Sequence, residues 1–152
     1  MDLSQIVQEI QSTLAPAVMV SSAALLLLGS QNKFSNLFNR FRALNQERRN
    51  LEMNSSRRTQ DQERLESVNG QLVRIGGRIT FTKNAILFNY AAIVCFLVTS
   101  ITIFLNIHAK VSLFKLTTML FLTGLLFVLL GAFAMMFEIR IAYKILRLEE
   151  KT

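Results

Sequence analysis

Three long apolar segments, residues 14–30, 85–107 and 116–137, divide this 152-residue chain into pieces whose positive charge lies almost wholly on one side. A hydrocarbon core about 30 Å thick is crossed by about 20 helical residues. The second and third segments have that length and contain no charged residue, with Lys115 next to one end. The first is shorter and carries Ser21 and Ser22 after Pro16, but it ends in the run Leu25, Leu26, Leu27, Leu28 with basic residues beyond it. A chain that is 51% hydrophobic, with a mean hydropathy of +0.37, does not hide three such runs in a soluble domain. The expected class is an all-α membrane protein with three transmembrane helices. A cleaved signal peptide requires positive charge ahead of its apolar core, whereas residues 1–13 offer only Asp2 and Glu9. The single cysteine, Cys95, lies within the second span, which leaves no disulfide framework and no thiolate metal site.

The charge pattern then assigns sides. Eleven Lys and Arg residues fall between Lys33 and Lys83 and four follow Phe137, while only Lys110 and Lys115 flank the turn between the last two spans. By the positive-inside rule, loop 31–84 and tail 138–152 are expected in the cytoplasm, and the amphipathic segment 1–13 and turn 108–115 outside. The net charge of +7 is thus largely a topology signal. An arginine-rich loop also suits nucleic acid, but no interleaving of aromatic and basic residues supports that partner.

The loop itself carries helical periodicity. Phe34, Leu37, Phe41, Leu44, Arg48 and Leu51 alternate at spacings of three and four, as do Leu65, Val68, Leu72, Ile75 and Ile79. Each set predicts a helix with a narrow apolar seam. Between them residues 54–58 lack periodicity, and Thr59 followed by Gln62 has the spacing of a capping box. The expectation is an antiparallel helical hairpin over 31–84, with Phe34 near Ile75 or Ile79 and Leu44 near Leu65 or Val68. With no breaker between seam and span, each arm is expected to continue a transmembrane helix. Gly76 and Gly77 mark a close crossing, a hinge or a harmless defect. Arg48, Arg49, Arg57 and Arg58 gather at the hairpin tip and suit an acidic partner or anionic lipid, or simply a solvated end. In the tail, Arg140, Lys144, Arg147 and Lys151 share one helical face, opposite Ile141, Ile145 and Leu148. Its basic face suits lipid headgroups.

Within the spans, small or polar residues recur every seven positions. Ala85, Ala92, Thr99 and Asn106 do so on the second, with Asn89 beside them, and Thr117, Gly124, Gly131 and Glu138 on the third. Lipid is as apolar as leucine, so helices associate in it through close approach and hydrogen bonds, and these rows are expected to face each other or a second copy. Asn89, Thr99, Asn106, Thr117, Gly124 and Gly131 are therefore packing positions or, read functionally, the lining of a lumen. No charged residue stands mid-membrane, which speaks against a proton relay. Glu138 is expected to pair with Arg140 or Lys144 at the boundary. The one histidine, His108, has no acid or nucleophile near it in the sequence, and no catalytic, metal-ligating or cofactor-binding motif is present.

The order of features resembles the bacterial membrane-protein family called domain of unknown function 2721. The likeness rests on 25–28 with Asn32-Lys33, on 39–44, on Gln71-Leu72 with Arg78, and on Phe137-Glu138. It covers nearly the whole chain and implies a bacterial inner-membrane protein without assigning an activity. The sequence reading is thus a non-enzymatic, homo-oligomeric scaffold or channel-like assembly in the lipid bilayer. The alternative, by analogy of topology, is an insertase-like membrane-protein biogenesis factor with a cytoplasmic coiled coil.

Overall fold

The computed structural model describes residues 3–53, 59–108 and 113–149. They form three helices, α1 (Leu3–Met53), α2 (Thr59–His108) and α3 (Phe114–Glu149), and among the described residues there is no strand. Each helix holds a stretch long and apolar enough to cross a membrane, with mean hydropathies of 1.6, 2.2 and 2.5 in chain order. Three such stretches in one chain point to a multi-pass membrane protein.

Each helix is much longer than its apolar run because nothing in the sequence interrupts it. Segment 1–13, expected as a separate amphipathic piece, is from Leu3 onward the first part of α1, and Pro16 lies inside that helix. Proline lacks an N–H and so removes one backbone bond from the preceding turn, a defect that apolar helices tolerate when neighbours cover it. Pro16 is fully buried. Gly76 and Gly77 prove to be neither a break nor a close crossing. The helix runs through them, and a Cβ added at either would have no neighbour within 4 Å. Two glycines weaken a helix without breaking it when flanking residues favour it and nothing else approaches.

The chain packs as two compact units. The first comprises Met1–Gly29 and Asn84–Phe133. Its core is Ala23, Ala92 and Phe96, all fully buried, with Met19, Val20, Ile93, Phe121, Leu125, Phe127 and Val128 packed around them. Phe96 meets Phe121 with ring centroids 5.8 Å apart and planes tilted by 55°, an offset that favours the ring quadrupoles. Gly124 makes room for the Phe96 ring: an added Cβ would lie 2.7 Å from Cε1. In lipid such a close approach provides the dispersion contact that holds helices together.

The second unit comprises Ser30–Lys83 and Ala134–Thr152. Leu44, Val68, Leu72 and Ile75 form its buried cluster, with Phe41, Leu51 and Ile79 against it. These residues come from both seams read in the sequence, and Leu44 shares the cluster with Val68. Phe34 stacks on Phe38, one turn later, at 6.0 Å, and Arg42 lies 5.6 Å above the Phe38 ring. Arg64 and Glu47 make an ion pair at 2.7 Å near the cluster, half-exposed and therefore of small energetic weight.

Candidate functional site

The most unusual chemistry lies in the second unit, where the Glu138 carboxylate is completely buried. Arg78 donates from Nε to its Oε1 at 2.8 Å, and the Lys33 ammonium faces Oε2. The three residues come from α2, α3 and α1, one from each helix. An isolated buried carboxylate is prohibitively costly, so its presence depends on charge-assisted bonds from both cations. The side chains of Lys33 and Arg78 remain 28% and 25% exposed on the protein surface. Two cations against one carboxylate leave a formal surplus of one positive charge.

The sequence expectation offered Arg140 or Lys144 as the partner of Glu138; the described partners are Lys33 and Arg78, and the Lys144 side chain lies outside the described residues. Residues two apart on a helix do not face each other, and six apart is little better. Arg140 is exposed. The partners are distant in sequence, so helical periodicity could not reveal them. Lys33, Arg78 and Glu138 had nevertheless each appeared among the short motifs carrying the family resemblance.

In the first unit the two seven-residue rows meet inside the chain. Gly131 lies against α2, where an added Cβ would be 3.3 Å from the Ala85 carbonyl and from the Asn89 amide. Gly124 lies against Phe96, and Asn106 donates from Nδ2 to Thr117 Oγ1 at 3.2 Å. Asn106 Oδ1 also accepts from the Leu113 backbone N–H at 2.7 Å, so one amide binds the residue just before α3 and the first turn of α3. Thr99 is buried and donates to the Cys95 carbonyl at 2.7 Å. Ser21, Ser22, Thr118 and Thr123 likewise donate to carbonyls four residues earlier on their own helices. A hydroxyl in an apolar medium meets its hydrogen-bond requirement locally in this way. Asn89 departs from the pattern, since its buried Oδ1 has no hydrogen-bond partner.

An open cleft of about 560 Å³ lies beside the Asn106–Thr117 bond. Ala15 and Pro16 of α1 form one side, and Thr99, Ile103, Asn106 and Ile107 of α2 a second. Phe114, Thr117, Thr118 and Phe121 of α3 complete it. The sequence reading named three of these, Thr99 and Asn106 on the row of the second span and Thr117 on that of the third, as packing or lumen-lining positions. It did not foresee that Pro16 and the α3 phenylalanines close the space around them, because helix periodicity gives faces but not depth.

The remaining candidates are dispersed. Arg48 approaches Glu52 on its own helix at 3.7 Å, and Arg49 is exposed. Arg57 and Arg58 lie outside the described residues, as do the side chains of Lys144, Arg147 and His108. Among the described residues no three His, Cys, Asp or Glu side chains gather where a metal ion would bind.

Compared with known families, residues 13–148 match the one described as Protein of unknown function (DUF2721). No curated protein and no solved structure matches.

Proposed function

The chain belongs to the DUF2721 family, whose description assigns no activity, and we propose from its geometry that it is a non-enzymatic scaffold of the inner membrane. In this reading the second unit is cytoplasmic, the start of α1 and the α2–α3 turn are outside, and exposed arginines such as Arg49 and Arg140 meet an acidic partner or anionic lipid. The observation that carries it is the Lys33–Glu138–Arg78 cluster. A charge arrangement that draws on all three helices favours one fixed arrangement of the second unit, as a docking platform requires. The eleven basic residues between Lys33 and Lys83 support the cytoplasmic side.

Self-association remains part of the proposal, but its support has moved. The Gly124 and Gly131 row is occupied by α2 of the same chain and leaves nothing for a second copy. The apolar stretch of α3 is only 11% buried, the least of the three helices, and its exposed Leu122, Leu126, Leu129 and Phe133 offer the contact instead. A channel-like or insertase-like role needs polar groups available to an ion, water or client segment. Thr99, Asn106 and Thr117 are already hydrogen-bonded within the protein, which favours the scaffold.

Two measurements test the proposal. With Cys95 replaced by alanine, a Gln60→Cys variant in intact cells should resist a membrane-impermeant maleimide until the membrane is opened; labelling from outside would overturn the topology. Mass measurement in mild detergent should show more than one copy, and a strictly monomeric protein would remove self-association.

A further inference from the structure

The cleft of the first unit has no role in the scaffold, and its chemistry specifies an occupant. Its volume of about 560 Å³ lies within the roughly 300–1,000 Å³ in which proteins hold small ligands. The walls are mostly apolar: Ala15, Pro16, Ile103, Ile107, Phe114 and Phe121. Every polar side chain on the lining is already committed. Thr99 donates to the Cys95 carbonyl, Thr118 to the Phe114 carbonyl and Thr117 to the Leu113 carbonyl. Asn106 bonds to Thr117 and to the Leu113 N–H. A polar solute requires partners, and this largely apolar wall offers only spare lone pairs and the second Asn106 N–H. An apolar chain has no such requirement.

Charge supplies the second half of the argument. Lys115 is exposed in the first turn of α3, next to Phe114 and three residues before Thr118, both on the cleft lining. Residues three apart are neighbours on a helix surface, so Lys115 flanks the cleft-lining face of α3 at the end nearest the α2–α3 turn. A cation at the end of an apolar helix is suited to a headgroup phosphate.

We propose that this cleft binds one acyl chain of an anionic phospholipid, with Lys115 meeting the phosphate. The inference uses the placement of the helices in a bilayer but not the scaffold role or the orientation of the termini, so it stands or falls separately from them. The bound chain covers Ile103, Phe114 and Phe121, completing an apolar surface that the three helices leave open.

The test is photolabelling of the full-length protein in vesicles. The probes are phosphatidylglycerol and phosphatidylcholine, each with a diazirine midway along one acyl chain. Adducts should map to the cleft residues and be stronger with phosphatidylglycerol. Ala15→Trp and Thr118→Trp, which fill the cleft from α1 and α3, should each lose those adducts while keeping wild-type helix content. Leu122→Trp, on the exposed face of α3, should retain them. Lys115→Gln should keep the cleft adducts but abolish the preference for phosphatidylglycerol. Adducts spread evenly over the apolar faces, or unaffected by both filling variants, would overturn the site. Equal labelling by the two lipids in the wild type would overturn the anionic headgroup.

Discussion

Replacing Glu138 by glutamine keeps the side-chain shape and removes the charge that Lys33 and Arg78 share. Breaking a fully buried ion pair costs about 3–5 kcal/mol, because the remaining charge is left uncompensated. Here the remaining charges are the cations, which retain 28% and 25% exposure and can turn toward water. The expected loss is therefore below that range, about 2–3 kcal/mol. Removing the cations instead, with Lys33→Met and Arg78→Met together, leaves the carboxylate fully buried and alone, and the full 3–5 kcal/mol or so applies. Adding Glu138→Met to that pair should recover stability to within about 1–2 kcal/mol of wild type, since an apolar replacement for a buried ion cluster is often neutral. The assay is thermal unfolding in detergent micelles followed by far-UV circular dichroism. At about 2–4 °C per kcal/mol for a chain of this size, Glu138→Gln should lower the midpoint by about 4–12 °C. A Glu138→Gln protein as stable as wild type, or a triple variant less stable than the double, would refute this account of the cluster.

The same unfolding measurement separates two kinds of glycine. Gly124→Ala places a Cβ 2.7 Å from the buried Phe96 ring and should cost about 1–3 kcal/mol by overpacking, whereas Gly76→Ala and Gly77→Ala, in open space, should each add about 0.5–1 kcal/mol. Asn106→Ala removes the acceptor for the Leu113 N–H and the donor to Thr117, so amide exchange over 113–117 should accelerate, with a loss of about 0.5–2 kcal/mol as for a helix cap.

What could be read from the sequence followed the range of the physics behind it. The apolar runs revealed three helices because span length depends on composition alone. The seams of α1 and α2 revealed Leu44, Val68, Leu72 and Ile75 because helical spacing reports which side chains share a face. Even the seven-residue rows of α2 and α3 were visible, and Asn106 with Thr117 shows them in contact. The hidden part was the pairing of residues distant in the chain where no repeat marks them. Lys33 and Arg78 are 105 and 60 residues from Glu138 in the numbering, and no local rule pairs such residues. The cleft was hidden for the same reason, since it needs Pro16, Ile103 and Phe121 at once. Of the close crossing, hinge or harmless defect expected at Gly76 and Gly77, the open space beside both residues removes the close crossing.

The buried carboxylate also bears on how such a protein is made. A ribosome delivers Lys33 first, Arg78 next and Glu138 last, so both countercharges exist before the acid that needs them. Each of the two cations remains partly exposed even in the finished fold. The acid has no comparable refuge in its final position, where no part of it is exposed. Translation therefore presents the group least able to stand alone at the moment its partners are ready, and seating the third helix becomes the step at which synthesis and folding close together.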